Sequence, residues 1–409
     1  MAPAPAPAPG ARVGAAARRA ARYLPVAALV TVSRSGAAFT TEVCRDPARF
    51  AELAPEWGRL YRRCGTATPF QHHAWLASWW RSYGGRRRLR VLLVRRSGEL
   101  VAAVALMPAH RPLPVLVPLG GPLADFSDVL LADEHADTAA PALAGALHQL
   151  ARTAVIDLRE VRPGAAAERI HDCWRGPKRW LADSVCLELP AVPLDGLLAR
   201  LPAGRAQRTR AKLRKLDALG IEVREATGDE VPAAVARLLA LHRRQWEGRG
   251  VTAEHLSERF AAHLTRAVTA MSGSGDARVT EFTLAGEVVA ADVTLMSGRL
   301  AGGYLYGADP ALRERKADVA TMLLRAGAGW IGASGRTTLS MLRGNEPYKH
   351  HWRPETVTNQ RLLLARPALA PSLHLLAARA AGRERLAGLV RRARDDGRAP
   401  AVRRGGGRG

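Results

Sequence analysis

Between Arg278 and Trp352 the spacing of apolar residues changes period several times, and each change marks an element. VTEFTL and EVVAADVTLM are rich in apolar and β-branched residues and flank Ala285-Gly286-Glu287, a turn with glycine where positive φ is needed; they predict a β-hairpin. A third strand, GRLAGGYLYGA, runs through Tyr304 and Tyr306 to Gly307. A polar loop from Asp309 to Lys316, a helical run ADVATMLLRAGAGWIGASG, a short strand TTLSML and the loop RGNEPYKHHW complete the stretch. The order is strand, strand, strand, helix, strand.

The same order occurs earlier. Gly98-Glu99-Leu100-Val101-Ala102-Ala103 is nearly repeated as Gly286-Glu287-Val288-Val289-Ala290-Ala291, and both copies join two apolar strands. After the first copy come VLVPLGGPLADFSDVLL, a helical run from about Asp137 to Arg152, and the strand AVIDLREV, so duplication of one unit is expected. Upstream, Phe50, Leu53, Trp57, Leu60 and Tyr61 have helical spacing, and TPFQHHAWLASWWRSYG predicts a turn and an aromatic helix whose Phe70, Trp75 and Trp79 pack the first unit. That unit ends with the strand SVCLELP near Pro190. The next helix places Arg205, Arg208, Lys212 and Lys215 near one face; it is either a solvated amphipathic helix or an anion-binding face at the cleft between units. VPAAVARLLALHRRQW is a further amphipathic helix with Pro232 in its first turn. The expected organisation is an α/β (α+β) protein of two lobes, each a mixed, mainly antiparallel sheet flanked by helices. Residues 1–38 form a disordered Ala/Pro-rich tail, 39–192 the N-terminal lobe, 193–366 the C-terminal lobe, and 367–409 a loosely held Arg-rich tail.

At 409 residues, with 47% hydrophobic and 24% charged residues, the chain is long enough for two ordinary cores. A net charge of +24 raises the question of nucleic acid, but only five of the 61 basic residues are lysine, so compositional bias toward arginine contributes. Cys44, Cys64, Cys173 and Cys186 have no metal-ligand spacing, and no metal site is expected. No apolar run approaches the ~20 residues of a membrane span. Arg18-Arg19 before YLPVAALVTV imitates a secretory leader, but Pro25 interrupts it and no small-residue cleavage site follows, so the expectation is a cytoplasmic protein.

The element order resembles the acyl-CoA-binding core of GNAT acyltransferases. Gly344-Asn345-Glu346-Pro347-Tyr348-Lys349 with Trp352 resembles the G-x-E-P-Y-K-x-x-W signature of the CelD-like, FemAB-related branch (the BioF-like acetyltransferase domain), and PFQHHAWLASWW resembles that family's P-F-Q-x-x-x-W-L-x-x-W-W run. The resemblance implies tandem GNAT-like lobes and acetyl transfer from acetyl-CoA, as co-substrate, to an amine or hydroxyl. It further implies an acceptor from polysaccharide or cell-envelope metabolism.

Such chemistry needs a diphosphate site, a polarised thioester carbonyl and a route for the nucleophile's proton. Arg313, Arg315 and Lys316 before a helix starting around Ala317 to Thr321, with Ala320 and Thr321 in its first turn, suit a diphosphate, although Asp318 would repel it unless it faces away. Backbone N–H groups on the strand through Tyr304 and Tyr306 are the GNAT-like candidates for the carbonyl. Glu346, Tyr348, Lys349 and Asp292, with Glu281 behind, are the proton-transfer candidates. Glu346 and Lys349 could equally be a structural ion pair, and Asp292 either a functional acid or a solvent-facing strand position. His242 and Trp246, one helical turn apart, could line an acceptor pocket with Trp352, or be a core pair. Two rivals stand beside acetyl transfer. One is a FemAB-like transferase using aminoacyl-tRNA; the other is a non-catalytic scaffold or polyanion-binding module.

Overall fold

The computed structural model describes residues 29–32, 38–110, 112–247, 252–332 and 334–396. Its strands are β1 (Leu29–Val32), β2 (Ala38–Cys44), β3 (Arg90–Arg96), β4 (Glu99–His110), β5 (Pro114–Pro118), β6 (Leu130–Leu131), β7 (Val155–Val161) and β8 (Lys178–Pro190). The second half supplies β9 (Glu222–Ala226), β10 (Ala277–Leu284), β11 (Glu287–Met296), β12 (Leu300–Ala308), β13 (Thr338–Arg343) and β14 (Glu355–Leu364). Helices α1 (Pro47–Glu52), α2 (Ala54–Arg62), α3 (His73–Tyr83), α4 (Ala136–Leu150) and α5 (Ala166–Cys173) belong to the first half. The rest are α6 (Leu194–Ala199), α7 (Ala203–Ala218), α8 (Val231–Trp246), α9 (Glu258–Gly273), α10 (Ala311–Glu314), α11 (Val319–Ile331) and α12 (Ala370–Asp396).

The repeat is structural as well as sequential. Ser97-Gly98 and Ala285-Gly286 both have positive φ at the two central positions, which defines the type I′ turn whose twist matches a hairpin. Each hairpin also carries a register shift just before its turn, at Val94/Arg95 and at Phe282/Thr283. Each half then places one short parallel pair in an otherwise antiparallel sheet. β5 pairs with β7 at Val115↔Val155 and Leu116↔Ile156, and β12 with β13 only from Leu300↔Thr338 to Gly302↔Ser340. Beyond those residues the strands diverge.

The halves are joined by exchange of strands. The sheet order is β1-β2-β3-β4-β5-β7-β14-β8-β13-β12-β11-β10-β9, so β14 of the second half lies between β7 and β8 of the first. β8 is longer than the expected SVCLELP because its polar beginning is paired with β14, in register from Leu364↔Lys178 to Glu355↔Glu188. The aromatic helix α3 also serves both halves: Trp75 packs edge-on to His263 of α9 and to Tyr304 of β12, with ring centroids 4.6 and 5.1 Å apart.

Two expectations about the tails are corrected. Leu29–Val32, expected in the disordered stretch, is a strand paired with β2, consistent with its β-branched LVTV sequence. Leu373 and Leu376 at the start of α12 are buried in the core, so the first turns of α12 are docked there. The Ala/Pro repeat and the Gly/Arg end lie outside the described residues. The four cysteines are free, no metal-binding group occurs among the described residues, and no described helix is long and apolar enough to cross a membrane.

Candidate active site

Two cavities meet where β12 and β13 diverge. The larger, about 560 Å³, is a cleft between the halves, walled by Pro122, Leu123 and Asp125 of the first half and by His242, Trp246 and His255 of the second. The smaller, about 150 Å³, lies under α11, whose Ala320, Leu323, Leu324, Gly327 and Ile331 recur at helical spacing and form one face over Asp292 and Thr294. Gly303, Leu305, Tyr306, Met341, Tyr348 and Lys349 border both. At this junction the β11–β12 ladder skips a residue: Val293 opposes Leu305 and Thr294 opposes Gly303, so Tyr304 sits in a bulge. A bulge interrupts strand pairing, which is what a backbone oxyanion donor on β12 requires.

The signature loop closes the junction, and its residue types have local causes. Gly344 has φ +113°, and a Cβ there would meet the Glu346 carboxylate at 2.5 Å. Glu346 pairs with Lys349 at 2.8 Å, and the nearly buried Lys349 Nζ also donates to the Arg343 carbonyl at 2.9 Å. This ion pair stands at the border of the larger cleft, with Lys349 also lining the smaller cavity. Tyr348 is exposed as a residue, yet partial burial, then Glu346 and Tyr306, push its pKa up to about 12. Trp352 is 3% exposed, borders the smaller cavity and packs with Met296, Ala301 and Leu339.

Asp292 is not at a solvent-facing position: it is 9% exposed, opposite Tyr306 in register, and in the wall of the smaller cavity. Its Oδ2 accepts from Thr294 Oγ1 at 3.1 Å. Burial pushes its pKa up to about 7, against the opposing pull of the Thr294 and Thr280 hydroxyls. Glu281 is elsewhere; it is fully buried and ion-paired with Arg224 and Arg237, and it borders neither cavity.

The residues expected at the diphosphate are spread around the start of α11. Arg313, Arg315 and Lys316 are exposed and border neither cavity, and Thr321 is buried. Asp318 caps α11 by accepting from Thr321 N at 2.9 Å and pairs with Lys212 at 2.5 Å. Burial raises its pKa, but Lys212 and the Thr321 N–H outweigh that and hold it below the usual carboxylate range. The carboxylate therefore takes the N–H group that a diphosphate would have used, and of this set only Ala320 lines the smaller cavity. The side chain of Tyr304 has a structural place beside the β12 backbone. Its hydroxyl donates to the Leu123 carbonyl at 3.1 Å, and its ring lies against Trp75, which makes it a strut between the halves at the edge of the larger cleft.

The basic side of α7 is tied to the same region. Arg205 donates to the His351 carbonyl at 3.2 Å and Thr209 Oγ1 lies 2.9 Å from His351 Nε2. Burial first, then Lys212, Arg205 and Arg208, depress the His351 pKa.

Two charged residues of the cleft escaped sequence reasoning. Arg343 pairs with Asp125 at 2.7 Å and with Glu160 at 3.2 Å, joining the two halves across the cleft floor. Its position immediately before the signature glycine was the available signal. Asp125 had none, since its partner is 218 residues away.

The mixed sheet with one diverging parallel pair per half, and a cleft where the second pair opens, is the architecture expected of tandem GNAT-like lobes. Residues 203–350 match the family model described as the acetyltransferase (GNAT) domain, so the chain carries that domain and is an acyltransferase. FemX is similar in fold over 79% of this chain and 98% of its own, with a TM-score of 0.58 and 11% identity. A conserved protein of unknown function from Bacteroides thetaiotaomicron aligns over 79% of this chain and 100% of its own (TM-score 0.54, 13% identity). The C-terminal domain of a putative lysylphosphatidylglycerol synthetase from Agrobacterium fabrum aligns over 81% and 96% (TM-score 0.51, 14% identity). No curated protein matches the chain in sequence.

Proposed function

We propose that the protein transfers an acyl group, most simply acetyl from acetyl-CoA, to an amine or hydroxyl held in the larger cleft. The observation that carries this reading is the junction: the apolar groove under α11 opens onto a polar cleft at the bulge in β12. A thioester lying in the groove brings its carbonyl to the interrupted ladder, and the acceptor reaches it from the other side. Tyr348, protonated at neutral pH and bordering both cavities, is placed to protonate the departing thiolate. Asp292 can hold or release a proton near pH 7 on the donor side. Glu346 and Lys349 hold the loop that carries Tyr348. An amino sugar or other glycan precursor is the acceptor class, by analogy with the CelD-like branch. A cytoplasmic setting, where CoA thioesters and reduced thiols coexist, accords with the four free cysteines.

The second reading, an aminoacyl-tRNA donor, draws on the FemX-like fold and on the exposed Arg208, Arg210, Arg214 and Lys215 of α7. Thermal unfolding with acetyl-CoA, alongside tRNA binding at two salt concentrations, separates the readings. Stabilisation by acetyl-CoA supports the first. Salt-sensitive tRNA binding without it supports the second. A protein that responds to neither is the scaffold.

A further inference from the structure

We propose that His242 is the general base that removes the proton from the acceptor's nucleophile, a role that rests on the acyl-transfer reading above. His242 is on α8 and forms part of the cleft wall, and the residue is 6% exposed. Its Nδ1 lies 2.7 Å from the Tyr306 carbonyl oxygen. A carbonyl can only accept, so Nδ1 carries the hydrogen and Nε2 is left with a lone pair. Nε2 has no partner among the described residues, and neither has the buried Nε1 of Trp246 one turn on. Several other buried polar atoms are unpartnered too, but these two belong to residues that line the cleft; both nitrogens are themselves closed over, so a small shift of each side chain is part of their meeting the acceptor. An unmet buried nitrogen is costly, and contact with a ligand removes the cost.

The position is held firmly. A Cβ at Gly307 would lie 2.4 Å from His242 N and 2.5 Å from Leu238 O, so α8 is seated directly on β12. Gln245 Oε1 accepts from Ala308 N at 3.1 Å, adding a second tie. The strand that offers the bulge at Tyr304 therefore also sets the tautomer and place of the base. Burial depresses the His242 pKa, so the ring is neutral and able to accept at pH 7. The ionisable groups around it in the cleft are His255, Asp125, Arg343, Glu346 and Lys349, with the phenols of Tyr304, Tyr306 and Tyr348. Arg343 is neutralised by Asp125, and Lys349 by Glu346. His255, 5.6 Å away between ring centres, is itself kept neutral by burial first and His242 second.

The step balances. A neutral amine or hydroxyl attacks the thioester carbon, its N–C or O–C bond forms, and its proton passes to His242 Nε2. The C–S bond then breaks and the thiolate takes a proton from Tyr348 or water. Trp246 Nε1–H would meet an oxygen of the acceptor, which points to a polyol-like acceptor bearing its nucleophile beside a hydroxyl or ring oxygen.

The test uses the full chain, acetyl-CoA as donor and glucosamine as acceptor probe. Long-range ¹H–¹⁵N spectra of ¹⁵N-histidine protein, assigned with His242→Gln, should show His242 as the neutral Nδ1–H tautomer at pH 7. CoA release should fall at least 100-fold in kcat for His242→Gln, while the thermal shift with acetyl-CoA is kept. The low-pH limb of wild-type kcat/KM, with its midpoint below 6.5, should vanish, and imidazole should restore part of the His242→Ala rate. An Nε2–H or doubly protonated His242 overturns the proposal whether or not glucosamine is turned over, and so does a His242→Gln rate within threefold of wild type. Loss of the acetyl-CoA shift in wild type strikes instead at the donor reading.

Discussion

Gly327 offers a direct test of the donor groove. It lies on the α11 face that lines the smaller cavity, and a Cβ built there meets nothing within 4 Å. Leucine is a far better helix former than glycine, so Gly327→Leu should stabilise the free protein by about 0.7 kcal/mol while placing four carbons in the groove. With an unfolding entropy of about 2.1 cal/mol/K per residue over 409 residues, that is a rise in Tm of about 1 °C. Acetyl-CoA at 100 times its dissociation constant should stabilise wild type by about 2.7 kcal/mol, or roughly 3 °C on the same scale. The groove holds only about 150 Å³, so the leucine should abolish the ligand-induced shift while the unliganded Tm holds or rises. Differential scanning calorimetry with and without acetyl-CoA reads both quantities on one sample. A variant that folds as predicted and keeps the full shift would refute the placement of the donor under α11. Gly327→Ala is the control, with the helix gain and little loss of binding.

Asp292→Asn should remove a pH dependence of stability. The folded pKa of about 7 exceeds the ordinary 3.8, so the native state binds more protons between those values; the favourable contribution is complete below about 4 and is lost as pH rises through 7. Denaturant melts should therefore show the asparagine variant more stable than wild type at pH 8, by on the order of 1–4 kcal/mol, with the advantage gone at pH 4. Trp352→Ala, which empties a 3%-exposed site in the cluster under the signature loop, should cost about 3–5 kcal/mol by urea unfolding. Glu346→Gln leaves the nearly buried Lys349 ammonium with only the Arg343 carbonyl, and should cost about 1–2 kcal/mol, reduced because Glu346 is half exposed. Its crystal structure should show a displaced Tyr348 loop.

The hairpins, the helix periods and the signature loop were legible because their causes are local. Gly98 and Gly286 are needed for positive φ within their own turns, and Gly344 for its own backbone and the carboxylate two residues on. Glu346, Tyr348 and Lys349 came together for the same reason. Asp318 was visible as a residue at odds with a phosphate site, but its partners, Lys212 and the Thr321 N–H, emerged only when α7 and α11 packed.

By itself, the sequence determined the element order, the duplicated unit and the acyltransferase signature, since each is encoded within a few residues or one helical turn. Only the tertiary structure decided that β8 and β14 cross between halves and that Asp125 meets Arg343. It likewise decided that His242 borders the cleft with its Nδ1 against the Tyr306 carbonyl. Those arrangements join residues 64 to 218 positions apart in the His242 and Arg343 contacts, where no periodicity operates and the partner is chosen by which surfaces the packed sheet brings together.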